Sequence, residues 1–160
     1  MNDDVIYDLL VKKLIDNIPM MSNYNVTKKI KTISEKGTVQ YTSYAINLLS
    51  SQFCRCVSFR LVDYYTEEVI RMNVYNLTDK DQYPFHHSFS VDDYLNNHLS
   101  IKDYMKFMQL SSDPNKLLSW RLQCFWDKLL PILDKEFFEI LEGKKWISVS
   151  GIDWREYVGM

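Results

Sequence analysis

The sequence predicts an α+β fold: an N-terminal helix, an antiparallel β-meander of about four to five strands, then helices on one sheet face. Three observations predict it. Apolar residues step by three and four at both ends of the chain. Between them, several runs alternate apolar and polar residues, the period of a half-buried strand. Tyr, Phe and Trp are abundant, at 14% aromatics, whereas four Gly and four Pro are too few for linkers or disorder. A chain of 160 residues is read as a single domain spanning residues 1–160.

The first element is a helix over Asp3–Asn17, with Val5, Ile6, Leu9, Leu10 and Leu14 as its stripe. Asp3 and Asp4 suit its first turn, Lys12 and Lys13 lie later, and Pro19 ends it. Met20 to Thr27 reads as a connection. Lys29–Ser34 and Thr38–Leu48 flank a turn at Glu35, Lys36 and Gly37, which is hairpin chemistry. In the second of these runs Thr42, Tyr44, Ile46 and Leu48 alternate with Ser43, Ala45 and Asn47. Phe53 to Val62 places Phe53, Val57, Phe59 and Leu61 on one face and Cys54, Cys56, Ser58 and Arg60 on the other. Asp63 to Glu67 is the next loop. Glu68 to Leu77 sets Ile70, Met72 and Val74 against Arg71, Asn73 and Tyr75. Phe85, His87, Phe89 and Val91 make a short last strand.

Ser90 to Asp93 resembles a capping box leading into Tyr94–Leu99, and Ser100 restarts a helix through Ile101, Tyr104, Met105 and Met108. The longest predicted element is a helical spine from Asp113 to Glu142. Leu118, Leu122, Phe125, Trp126, Leu129, Ile132, Leu133, Phe137 and Ile140 share its apolar face. Ser112 or Asp113 caps it, Pro114 suits its first turn and Gly143 stops it. Thirty helical residues would run about 45 Å, well beyond a radius of gyration of roughly 15 Å. Pro131 removes one backbone donor, so a kink or break is expected between Asp127 and Pro131. In the tail, Trp146, Ile147 and Val149 pair briefly as a strand, and Trp154 and Tyr157 dock as a final helical turn.

Composition excludes several function classes. A net charge of −2 provides no basic envelope for nucleic acid. No apolar run reaches the roughly 18 residues that span a bilayer. The start, MNDDVIYDLL, lacks the basic and apolar regions of a signal peptide, so a cytoplasmic protein without membrane contact is expected. Three Cys cannot all pair with one another, which also fits a reducing compartment. Cys54, Cys56 and Cys124 lack the paired motifs of a zinc site and read as small apolar filler. Neither a phosphate loop nor a dinucleotide fingerprint can be written with Gly at 37, 143, 151 and 159 only. His86, His87 and His98 have no flanking nucleophile and no metalloprotease spacing. The expectation is therefore no cofactor, no metal, no catalytic residue and no enzyme.

Charge marks one candidate surface. From Cys54 to Asp93, Asp63, Glu67, Glu68, Asp79, Asp81, Asp92 and Asp93 face only Arg55, Arg60, Arg71 and Lys80, seven acids against four bases. Asp63, Glu67, Glu68, Asp79 and Asp81 fall in or beside predicted loops, where an acidic patch would steer a basic protein partner. A solvated rim is the structural alternative. Lys28, Lys29, Lys31 and Lys36 form the basic cluster, read as a solvated hairpin face.

The order of parts resembles a known family. The amphipathic N-terminal helix precedes the Tyr- and Asn-rich meander CRCVSFRLVDYYTEEVIRMNVYNL, the capped segment FSVDDYLNNHL and a helix closing with FEILEGKKW. This layout is similar to that of the small immunity proteins that bacteria carry beside contact-dependent or other polymorphic toxins. The resemblance implies a cytoplasmic α+β protein that binds and neutralises one cognate toxin, often through an acidic surface. It carries over no site residue, because no shared motif maps onto this chain. Two other functions stay open: a small-ligand-binding or hydrolytic α+β domain with an aromatic pocket, and a phage or mobile-element accessory protein.

Overall fold

The computed structural model describes residues 3–64, 67–77, 88–91, 94 and 118–147. Among them an N-terminal helix α1 (Asp3–Asn17) leads through a 3-10 turn (Pro19–Asn23) into a five-stranded antiparallel sheet. The strands are β1 (Asn25–Lys36), β2 (Val39–Ser50), β3 (Arg55–Tyr64), β4 (Glu67–Asn76) and β5 (Ser88–Ser90), neighbours in chain order. Helices α2 (Leu118–Leu129) and α3 (Lys135–Leu141) follow. The α+β class is as expected, and no helix among the described residues is long and apolar enough to cross a membrane.

Register assigns every described strand residue to a face. Val26, Leu48, Val57, Val74 and Phe89 are cross-strand neighbours in one row, and Ile46, Phe59 and Met72 lie in the next. From β2 to β5 the residues of these rows are buried, so the alternation read from β2, β3 and β4 is the core face of the sheet. Against it pack Tyr7, Leu10 and Leu14 of α1, Leu122, Phe125, Trp126 and Leu129 of α2, and Phe137, Ile140 and Leu141 of α3. Val5, placed on the α1 stripe from sequence, is instead half exposed, and Tyr7 takes the buried position. The buried residues of the sheet and the helices belong to one apolar cluster, which leaves out the exposed Val5 and Val26.

The 30-residue spine is corrected. Its described part is two helices of 12 and 7 residues, with a turn around Pro131 between them. Proline supplies no amide hydrogen at 131, and Asp134 adopts extended backbone (φ −98, ψ 176), which no continuous helix tolerates. Its carboxylate then accepts from Phe137 N at 3.0 Å, starting α3 as an N-cap. The apolar face survives the break: Leu133, Phe137 and Ile140 are buried, and Leu118 and Ile132 pack partly on the core. The expected start, Ser112 to Pro114, and the segments over 95–108 lie outside the described residues, as do Phe85, His86, His87, His98, Val149, Trp154 and Tyr157.

Strand limits also shift, for identifiable reasons. Gly37 takes φ +64 as the first residue of a two-residue turn with Thr38, so Glu35 and Lys36 stay in the ladder opposite Gln40 and Val39. Cys54 has φ +53, which breaks the extended backbone and makes residues 51–54 a turn; β3 therefore starts at Arg55, not Phe53. Asp63, Tyr64 and Glu67, expected in a loop, pair in the β3–β4 ladder. Trp146 and Ile147 form no strand but pack against the core cluster.

One contact joins the two ends of the fold. Arg55 shares the parity of Val57, Phe59 and Leu61, and its side chain points to the core side with 3% exposure. Its guanidinium donates to Ile140 O at 2.9 Å, Lys145 O at 2.9 Å, Cys54 O at 3.1 Å and Asn76 Oδ1 at 2.9 Å. The Trp146 ring lies against it, 5.1 Å from centroid to Cζ. Tyr24 donates to Leu141 O at 2.6 Å beside it. Gly143, at φ +74, closes the helix end so tightly that a Cβ there would meet Phe53 O at 2.5 Å.

Two stability measurements check this architecture. Phe125→Ala and Leu129→Ala are expected to lose about 2–5 kcal/mol each in urea unfolding, because both side chains leave cavities in the core. Losses under about 0.5 kcal/mol at both sites would mean that α2 does not bury this face. Arg55→Lys should cost about 2 kcal/mol or more, since one ammonium cannot replace a planar fork with four bonds to protein acceptors. A variant as stable as wild type would show that the Arg55 junction holds nothing together.

Candidate functional site: the outer face of the sheet

All the helices described pack on one side of the sheet, and the side chains of opposite parity face away from them. On that outer face one row runs Lys28, Asn47, Ser58, Asn73, Ser90, crossing all five strands through direct cross-strand pairs. Every residue in it can donate or accept a hydrogen bond. The next row is Ile30, Ala45, Arg60, Arg71. The row on the other side is Asn25, Leu49, Cys56, Tyr75, Ser88.

Charge near the centre of this face is positive. Lys28, Arg60 and Arg71 lie on it, and by register the outer-face carboxylate of the described strands is Glu67, at the hairpin end of β4 four residues from Arg71. Arg60 and Arg71 are direct cross-strand neighbours. Cβ atoms in such a pair stand about 4.5–5.5 Å apart, and like charges placed so repel. Among the described residues neither guanidinium has a hydrogen bond or ion pair. The rest is small or neutral: Ser43 and Ala45 are buried between larger neighbours, while Ser58 and Asn73 are half-buried.

The acids singled out from sequence fall elsewhere. Asp63 pairs with Glu68 and Tyr64 with Glu67 at the tip of the β3–β4 hairpin, so the fold brings Asp63, Glu67 and Glu68 together. Asp79 and Asp81 lie outside the described residues. Leu77, the last described residue before them, follows β4 at the end opposite that tip, and ten strand residues extend about 33 Å at about 3.3 Å each. The basic cluster is also divided. Lys29 and Lys31 lie over the Tyr7 and Tyr44 rings, each 5.8 Å from the centroid. Lys31 also pairs with Asp3 at 3.0 Å, and that hydrogen bond holds its ammonium above the ordinary lysine pKa. Only Lys28 of the described lysine side chains in this cluster shares the outer face.

Other chemistry is weaker. The helix-side aromatics, offered above as a pocket, are in contact with one another: Phe59 with Trp126 at 5.7 Å, Tyr94 with Phe137 at 5.5 Å and Phe125 with Trp126 at 5.4 Å. Burial, and then the hydrogen bond it donates to Asp134, pushes the Tyr94 phenol up; burial does the same to Tyr24. Both phenols thus serve as donors to structural partners. Cys54, Cys56 and Cys124 are free thiols on a turn, a strand and a helix. No group of three or more His, Cys, Asp or Glu able to hold a metal occurs among the described residues.

Sequence reasoning listed Arg60 and Arg71 on polar strand faces without seeing that they are opposite each other. The signal was present but needed register: the turn at Tyr65 and Thr66 sets Tyr64 against Glu67, and every later pair follows. Comparison with known proteins found no matching family model, curated protein or solved structure.

Desolvation pushes the Cys56 thiol above its ordinary pKa, so less of it is thiolate at a given pH. Iodoacetamide at pH 8 should therefore modify Cys56 more slowly than free cysteine, and raising the pH should speed the reaction. Peptide mapping by mass spectrometry measures this; modification as fast as free cysteine would mean that Cys56 is not shielded on the sheet.

Proposed function

We propose that this chain is a non-enzymatic protein-binding domain that takes its partner on the outer face of the sheet. The observation that carries the reading is the five-strand polar row from Lys28 to Ser90, held in a continuous ladder on the side opposite the helices. Such a surface is rigid, because each residue in it is fixed by backbone pairing, and it presents donors and acceptors at spacings of about 4.8 Å. Four strands of 10 to 12 residues make a face of roughly 14 by 33 Å, about 500 Å², to which the three residues of β5 add a narrow margin. That is smaller than the roughly 800 Å² per partner of a standard protein interface, so a partner would also reach past the edges of the sheet. Neutralisation of a cognate bacterial toxin, in the manner of immunity proteins, is the sharpest form of this proposal. It is supported by the order of helix, meander and helices.

A second surface has a specific observation in its favour. Asp63, Glu67 and Glu68 come together at the β3–β4 tip, so a basic partner could dock there instead. The tip adjoins the hairpin end of the outer face, where Glu67 has outer parity, and it lies six residues along β4 from Asn73, so the two surfaces can be tested side by side. The partner to try first is the product of the reading frame adjacent to this one, co-expressed and measured by surface plasmon resonance. Ser58→Trp should weaken binding about tenfold or more, a loss of about 1.4 kcal/mol, by placing a bulky ring at the centre of the outer face. Glu67→Lys/Glu68→Lys should leave the affinity within about twofold. The reverse pattern would move the interface to the hairpin tip. An adjacent product that forms no complex would remove the immunity reading.

A further inference from the structure

We infer that Arg60 and Arg71 form a two-pronged clamp for the carboxylates of an acidic segment of the partner protein. The inference rests on the outer-face reading and goes further, because it assigns the chemistry of what binds. Arg60 and Arg71 are direct neighbours across β3 and β4, the other direct neighbour of Arg60 is Ala45, and the outer-face Glu67 lies four residues along β4, about 13 Å away. A pair of this kind costs stability in the free protein, since like charges directly opposite repel. One carboxylate placed between the forks would accept from both and replace repulsion with two charge-assisted contacts.

The neighbours suit that task. Ala45, beside Arg60 in the same row, is small and uncharged, so it brings no competing charge to Arg60. Asn73 and Ser58, one row away, and Asn47 beyond them can bond to the peptide groups of the same segment. Lys28 at the far end of that row adds a third positive charge. The side chains therefore offer charge for an acidic residue and hydrogen bonds for the backbone around it.

An acidic protein segment fits better than single-stranded nucleic acid. Three cations on a chain of net charge −2 neutralise few phosphates, and affinity for a nucleic-acid backbone grows with the number neutralised. Stacking needs exposed rings, and among the outer-face residues described only Tyr75 is an exposed aromatic, at 37%.

The test uses the full chain, labelled with nitrogen-15, and two probes: capped hexaglutamate and hexathymidylate. Hexaglutamate should shift the side-chain Nε–Hε signals of Arg60 and Arg71 and the amides of Ser58 and Asn73. Its affinity should fall severalfold between about 50 and about 200 mM salt, as for exposed charges. Arg60→Gln and Arg71→Gln should each weaken it about fivefold or more, while their melting temperatures stay equal to wild type or rise. Shifts confined to other residues, or affinity unchanged in both variants, would overturn the clamp. Hexathymidylate bound about tenfold more tightly at the same arginines would overturn the acidic-protein assignment in favour of nucleic acid. A fall in melting temperature of about 4 °C or more in both variants would assign the arginines to the fold instead. Binding of neither probe would also overturn the clamp, and the Ser58→Trp measurement would still decide, separately, whether the outer face is an interface at all.

Discussion

The buried guanidinium of Arg55 is the contact on which the arrangement of layers depends. A charge at 3% exposure must be compensated, and among the described residues no carboxylate does it. Instead Ile140 O and Lys145 O at the end of α3, Cys54 O in the β2–β3 turn and Asn76 Oδ1 at the end of β4 accept from it. Ile140 O also accepts from Gly143 N at 3.1 Å, and its second lone pair, at the partially negative end of the helix, takes the guanidinium. Burial lowers the arginine pKa, but from a starting point high enough that the group stays charged at neutral pH. The planar fork can therefore hold three separate chain segments at one point: the turn before β3, the end of β4 and the exit from α3. Tyr24, donating to Leu141 O, brings the start of β1 to the same junction.

That junction explains why the helices gather on one side. Arg55 points inward only because it is in phase with Val57, Phe59 and Leu61, and its partners on α3 must then lie on the same side of the sheet. Once α3 is fixed, the break at Pro131 sends α2 back across the sheet, where Trp126 meets Phe59 and Gln123 bonds to Lys13 and Asn17 of α1. The large apolar side chains are used up in this layer. Among the described residues the other face carries Asn, Ser, Arg and scattered single apolar residues, with no large apolar patch. The edges are managed too. β5 is only three residues long, and β1 carries Lys28, Lys29 and Lys31 along its 12 residues, which discourages pairing with another strand.

The fold was legible wherever the signal was local. The alternation of Val57, Phe59 and Leu61 and of Met72 and Val74, the α1 limits and the break near Pro131 all depend on residues close in sequence. The continuous spine was misread because Asp134 serves equally well on a helix surface and as an N-cap. Only the backbone conformation at that residue tells which. Arg55 escaped notice because its partner Ile140 is 85 positions away, and a charge in phase with core residues looks like an error in the pattern. The site was less legible still. Reasoning from sequence looks for charge clusters along the chain, which led to Asp63, Glu67 and Glu68. A surface assembled from one residue per strand leaves no such cluster.

The contrast among three arginines on β3 and β4 is the strongest argument for where function lies. They sit within one antiparallel pair of strands and have the same chemistry. Arg55 is buried, and its donors find four acceptors built into the fold. Arg60 and Arg71 are set against each other, where their repulsion contributes nothing to folding, and among the described residues no group compensates them. Selection for stability alone would remove such a pair easily, since Gln or Thr at either position keeps the strand and abolishes the repulsion. Local rules broken without an internal gain point to an external one. An acidic group brought by another molecule supplies that gain, and the polar row beside the two arginines gives the rest of that molecule something to hold.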